Sequence, residues 1–147
     1  MRISTKGRYG LRALFDLAVH QGSKGNRPVS LREISERQRI SEAYLEQLFA
    51  PLRHHGLVRS VRGAQGGYVL ARPASQITVA DIIRALEGPV APVDCVREDE
   101  GEICKYAENC VAHLVWLRLR DSINKTLESI TLEDMCSYYR GQSSELS

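Results

Sequence analysis

A mainly α fold with a small β wing is predicted by three observations on this sequence. Apolar residues recur at helical spacing through three successive stretches, 5–20, 30–40 and 41–56. Two short alternating runs then flank a glycine-rich turn, Arg62-Gly63-Ala64-Gln65-Gly66-Gly67. Finally, an apolar stripe runs from Val111 to Ile130, about five helical turns. In that order these elements spell a winged helix-turn-helix plus a long dimerisation helix.

The first helix places Leu11, Leu14, Phe15, Ala18 and Val19 at helical intervals, with Ser4 or Thr5 available as its N-cap. Gly22-Ser23-Lys24-Gly25-Asn26 interrupts the pattern. Ser30 and Glu33 form a capping box that opens a second, short helix, whose expected buried contacts are Leu31, Ile34 and Ile40. Ser41 opens the third, in which Leu45, Leu48, Phe49 and Leu52 face inward and Glu42, Ala43, Glu46 and Gln47 face outward. Pro51 lies inside it, so a kink or a break is expected between Gln47 and Pro51. Leu57–Val61 and Tyr68–Ala71 alternate as strands of a hairpin with a basic tip. Thr78 caps a further helix that ends at Gly88-Pro89. Residues 93–109 read as an exposed loop, and Thr131 caps a last short helix followed by a frayed tail from Gly141.

At 147 residues the chain is too short for a large multidomain enzyme, and its 43% hydrophobic and 26% charged residues are ordinary for a globular protein. No run approaches the ~20 apolar residues that span a bilayer, and the basic start runs into Gly7-Arg8-Tyr9 without an apolar core, so no membrane association and a cytoplasmic location are expected. No acid–base pair or nucleophile constellation emerges, so neither catalysis nor a small-molecule substrate is expected. The net charge of +2 conceals an asymmetry. Residues 1–72 carry 13 Lys and Arg against 5 Asp and Glu, a charge of +8, and residues 73–147 carry 7 against 13, a charge of −6. A basic half with this layout points to double-stranded DNA as the partner.

In a winged helix-turn-helix the third helix enters the major groove and the wing reaches phosphates or the minor groove. Glu46 and Gln47 stand in the right part of that helix: Gln pairs with adenine and Glu accepts from cytosine. Tyr44 joins this set. Arg59 and Arg62 suit phosphate or minor-groove contact, while Gly66 and Gly67 let the wing backbone approach DNA closely. An outward Glu or a glycine-rich turn is by itself only a solvated residue or a tight turn. Their order along the chain carries the reading.

Cys95, Cys104 and Cys110 cluster in or beside the loop with His113, in the spacing C-x8-C-x5-C-x2-H, whereas Cys136 stands apart on an amphipathic helix as a small core residue. Such a cluster in a cytoplasmic chain favours a metal or redox site over disulfides. Cys110 and His113, three apart, share a helix face. Spacing alone favours zinc, since three Cys and one His are a regular tetrahedral set and the pattern is one residue short of an RNA-binding zinc finger. The acidic run Glu98-Asp99-Glu100-Gly101-Glu102 is a poor surface for RNA.

Three segments together, Met1 to Gly10, Ser41 to Leu48 and Val61 to Tyr68, closely resemble the bacterial winged-helix iron–sulfur regulators, the IscR/NsrR/CymR-like family, with the cluster-assembly regulators nearest. The resemblance covers about residues 1–135. It implies a homodimeric transcription factor whose long C-terminal helices cross-pair, with Leu114, Val115, Leu119, Ile123 and Leu127 at the dimer contact. It also implies an iron–sulfur cluster on Cys95, Cys104, Cys110 and His113, with [2Fe-2S] preferred to [4Fe-4S] because of the histidine. The first gap, x8, is longer than the five residues common in that family. The expected organisation is therefore a DNA-binding domain over 1–88, a cluster-binding loop over 89–110, dimerisation and C-terminal helices over 111–140 and a flexible tail over 141–147. The rival readings are a nitric-oxide or redox-sensing repressor with the same ligands, a cluster-free regulator of cysteine metabolism, and a zinc-binding nucleic-acid module.

Overall fold

The structure is a computed structural model that describes residues 3–22, 25–97 and 110–146. Six helices and a two-stranded antiparallel sheet are found among them. Helix α1 spans Thr5–His20 behind the Ser4 cap, and α2 spans Leu31–Gln38 behind a complete Ser30–Glu33 capping box. Helix α3 spans Glu42–His54, with the Ser41 hydroxyl accepting from the Tyr44 amide at 3.1 Å. Strands β1 (Val58–Val61) and β2 (Gly67–Leu70) pair in the register Val58 with Leu70 and Val61 with Gly67. Helix α4 is Val79–Glu87, α5 is Val111–Ser129 and α6 is Leu132–Leu146.

The core lies where α1, α3 and α4 meet, around Leu14, Leu17, Leu45, Phe49 and Ile82, and it extends to Ile34 on α2 and Leu132 on α6. Each fully buried side chain of this kind stabilises the fold by about 1.5–3 kcal/mol. Asp16, on the inward face of α1, is the charged exception; it is 1% exposed and is held by Arg37 of α2. Gln21, also buried, accepts the Leu70 amide at 2.9 Å and so fastens the end of α1 to β2.

Three expectations need correction. Of the kink or break expected at Pro51, the break does not occur, since α3 is continuous to His54. The proline stands near the C-terminal end, where the one acceptor it strands is the carbonyl of the exposed Gln47, open to water. Helix α6 does not stop at Gly141 but continues to Leu146. The segment after Val93 is not wholly an exposed loop, because Asp94–Val96 form a 3-10 turn and Val96 is buried. A second 3-10 turn, Ala74–Gln76, was not legible in the sequence. The junction of α5 and α6 is pinned to the start of α4, since the Val79 amide donates to Ile130 and the Leu132 amide to Ile77, at 2.8 and 2.9 Å. No helix among the described residues is long and apolar enough to cross a membrane.

Candidate functional site

The apolar side of α3 is locked into the core by Leu45, Leu48, Phe49 and Leu52, which leaves Glu46 and Gln47 exposed on the other side. The turn from α2 into α3 passes through Arg39, a left-handed residue at φ +58° and ψ +46°. Tyr44 is half-buried and meets Tyr9 of α1 edge-on at 6.0 Å. Its ring therefore first serves as a joint between α1 and α3. Arg12 sits over the Tyr9 ring and donates to the Gln38 carbonyl at 2.6 Å, tying α1 to the end of α2.

The wing hangs from this frame by Tyr68, whose ring lies 4.7 Å from that of Phe49 and whose backbone exchanges two hydrogen bonds with Val29. Arg59 and Arg62 are exposed and form no salt bridge with a described residue, so both cations are available to an anion. The small size of Gly66 and Gly67 has a cause within the wing itself. A Cβ on Gly66 would strike the Val61 carbonyl, and one on Gly67 would strike the backbone of Val29 and Ser30. These glycines let the hairpin close and dock against the segment before α2.

Cys110 occupies the N-cap position of α5, its side chain making no capping bond, and His113 follows one turn later, its amide donating to the Cys110 carbonyl at 3.1 Å. The imidazole Nδ1 of His113 is buried and has no hydrogen-bond partner among the described residues. A buried nitrogen in that condition is costly unless it serves as a ligand, so this pair fits an iron–sulfur or zinc group. Cys95 lies half-buried in the 3-10 turn that packs on α5, where the next residue's carbonyl, on Val96, accepts from Arg120 at 3.1 Å. Cys104 lies outside the described residues. Among the described residues the structure thus brings Cys110 and His113 onto one turn and does not gather three ligating side chains. Cys136 is buried on α6, as expected, and burial pushes its thiol pKa up.

The apolar stripe of α5 divides in two. Val111, Leu114, Val115 and Leu119 are 79%, 64%, 54% and 41% exposed, an apolar face left open by the described residues. Ile123 and Leu127, also expected at the dimer contact, are half-buried and pack within the chain against Val79, Ile83 and Val90. Arg84 of α4 reinforces that seam, donating to Asn124 at 3.1 Å and Glu128 at 2.6 Å. Sequence periodicity finds the apolar side of α5 but not which part of it α4 already covers. The Asp16–Arg37 pair that fixes α2 against α1 carries no local signal at all.

Comparison with known proteins places these features in context. The sequence pattern of the Rrf2 family, described as an iron-dependent transcriptional regulator, matches residues 3–138. The HTH-type transcriptional regulator CymR of Bacillus subtilis strain 168 is 46% identical over 142 residues, 97% of this chain and 94% of that protein. The HTH-type transcriptional regulator IscR of Photorhabdus laumondii is 47% identical over 135 residues, 92% of this chain and 79% of that protein. Among solved structures, that of CymR, the global cysteine regulator of B. subtilis, superposes with a TM-score of 0.75 at 48% identity, covering 94% of this chain and 98% of that one.

Proposed function

This chain belongs to the Rrf2 family of transcriptional regulators, and on that premise we propose that it is a cytoplasmic, dimeric DNA-binding regulator controlled by an iron–sulfur cluster on Cys95, Cys104, Cys110 and His113. Its relatives are transcriptional regulators, not enzymes. The observation that carries the cluster reading is the Nδ1 atom of the half-buried His113, inaccessible to solvent and without a hydrogen-bond partner among the described residues, one turn from Cys110. When bound, the cluster supplies a labile group whose occupancy reports iron and sulfur status, and a [2Fe-2S] type suits a site with one neutral imidazole in place of a thiolate.

The chain's own residues do the rest. Glu46 and Gln47 read base edges, Arg59 and Arg62 hold backbone or minor groove, and Tyr44, Gly66 and Gly67 set the attitude of helix and wing. Leu114, Val115 and Leu119 meet a second copy, so that two recognition helices address half-sites about 34 Å apart. Residues 1–88 form the DNA-binding part, 89–110 the cluster loop and 111–140 the dimerisation and C-terminal part. Arg84, bridging α4 to Asn124 and Glu128, ties the first of these to the last.

A second reading, a regulator of cysteine metabolism that carries no cluster, is supported by the near-equal likeness to CymR, 46% against 47% for IscR. Anaerobic purification followed by absorbance spectra and iron and sulfide analysis separates the two. A coloured protein with iron and acid-labile sulfide is expected. A colourless protein with stoichiometric zinc and no sulfide sinks the cluster reading, and one without any metal leaves the cysteine regulator. DNA titration of both forms then tests control, since identical binding with and without the cluster defeats it.

A further inference from the structure

The segment leading out of α4 toward the cysteines is fastened to α5 at two points. Asn124 donates to the Val90 carbonyl at 3.5 Å, and Arg120 donates to the Val96 carbonyl at 3.1 Å. Both side chains are themselves set in place. Asn124 also donates to the Arg120 carbonyl and accepts from Arg84, while the Arg120 guanidinium is steadied by Asp121 at 3.0 Å. Seven residues of helix separate Arg120 from His113 and eleven separate Asn124 from it; at 100° per residue both lie within roughly 20° of the His113 direction. As the chain runs from Val90 to Val96 its anchor moves from Asn124 to Arg120, one turn nearer the start of α5. The segment therefore climbs the face of α5 that carries His113, in the direction of Cys110.

We propose that Arg120 is a positioning residue for Cys95: by holding the Val96 carbonyl it keeps the segment bearing this thiol on the His113 face of α5. The proposal rests on the ligand reading above for its purpose, but the hydrogen bond and its effect on Cys95 stand without any bound group. Arg120 acts through the backbone next to the thiol.

The test is peptide-resolved alkylation of the full chain, stripped of metal with a chelator, in the parent and in Arg120→Ala and Arg120→Lys. Cys95 should react about tenfold faster in the alanine variant, the factor that corresponds to losing a hydrogen bond from a charged donor. The lysine variant keeps a donor at the end of a similar stem and should stay near the parent rate. Cys136, buried on α6, gauges the fold and should react equally slowly in all three. Equal Cys95 rates in parent and alanine variant overturn the proposal. So does an acceleration that Cys136 shares, or a lysine variant as fast as the alanine one. A parent that takes up no cluster defeats the ligand reading and leaves this result intact. Unchanged Cys95 reactivity in a chain that does bind a cluster defeats the role of Arg120 alone.

Discussion

The carboxylate of Asp16, buried on α1, is gripped by two nitrogens of the Arg37 guanidinium on α2, Nη2 at 2.8 Å and Nε at 3.0 Å, and receives a third bond from the Gln38 amide. The grip fixes α2, and through it the turn into α3, against the first helix. Removing Arg37 strands a buried charge, so Arg37→Ala should cost about 3 kcal/mol in urea unfolding. Asp16→Asn, which leaves a half-exposed cation free to hydrate, should cost less, and the double variant should cost less than the sum of the two. The hydrogen bond to Asp16 raises the Arg37 pKa above its already high ordinary value. A raised cation contributes stability that is lost only as pH climbs through the folded pKa. The arginine side of the pair therefore stays charged, and the loss in Arg37→Ala should be the same between about pH 8 and pH 9, where His20, also 3.5 Å from the Asp16 carboxylate, cannot stand in for the missing cation.

Gly67→Ala should be severe for a different reason. The added Cβ meets the backbone of Val29 and Ser30, which cannot swing aside as a flexible side chain would. A cost of about 2–3 kcal/mol is expected in thermal or urea unfolding, together with loss of DNA binding as the wing leaves the Val29 bridge. Gly141→Ala makes the opposite case. Its Cβ would meet nothing within 4 Å and it sits within α6, so the alanine should stabilise the chain by about 1 kcal/mol.

What the sequence made legible was local chemistry. Ser30 with Glu33 and Thr78 with Asp81 are each three apart, so the boxes that start α2 and α4 can be read without knowing the fold. Asp16 and Arg37 are 21 residues apart and meet only because α1 and α2 cross there, which no periodicity announces. Gly141 reads as a terminator because glycine disfavours helix, yet α6 runs through it. For the site, spacing singles out the candidate donors and puts Cys110 and His113 on one turn. The path of Cys95 along α5 depends on Arg120 and Asn124, two polar residues that a hydrophobic pattern passes over.

On the proposed dimer, the division of the α5 stripe gives association and folding different residues. Leu119 is exposed and Ile123 is packed against Val79 and Ile83 on α4. Leu119→Asp should therefore yield a folded monomer in sedimentation velocity, whose melting curve no longer depends on protein concentration. Ile123→Asp should lower the fold's own stability by about 2 kcal/mol, since a half-buried apolar contact is lost and the new charge keeps partial access to water. A Leu119→Asp chain that still sediments as a dimer, or a parent that is monomeric, removes α5 from the interface.

On the proposed DNA-binding surface Arg62 and Glu46 should fail in different ways, because the first is assigned to backbone charge and the second to base edges. Arg62 is exposed at the wing with no salt-bridge partner among the described residues, so its cation can neutralise a phosphate or enter a narrow minor groove. Arg62→Ala should weaken binding to all sequences and reduce the slope of log affinity against log salt by about one. Glu46 adds a negative charge to a negative interface, which is unfavourable unless it accepts from a cytosine amino group. Glu46→Ala should therefore leave or even raise affinity for random DNA while it erases preference at one base position of each half-site. A binding-site selection carried out on both variants decides this. Unchanged preference in Glu46→Ala means that α3 meets the groove with another face, and an unchanged salt slope in Arg62→Ala means that the wing stands clear of the phosphates.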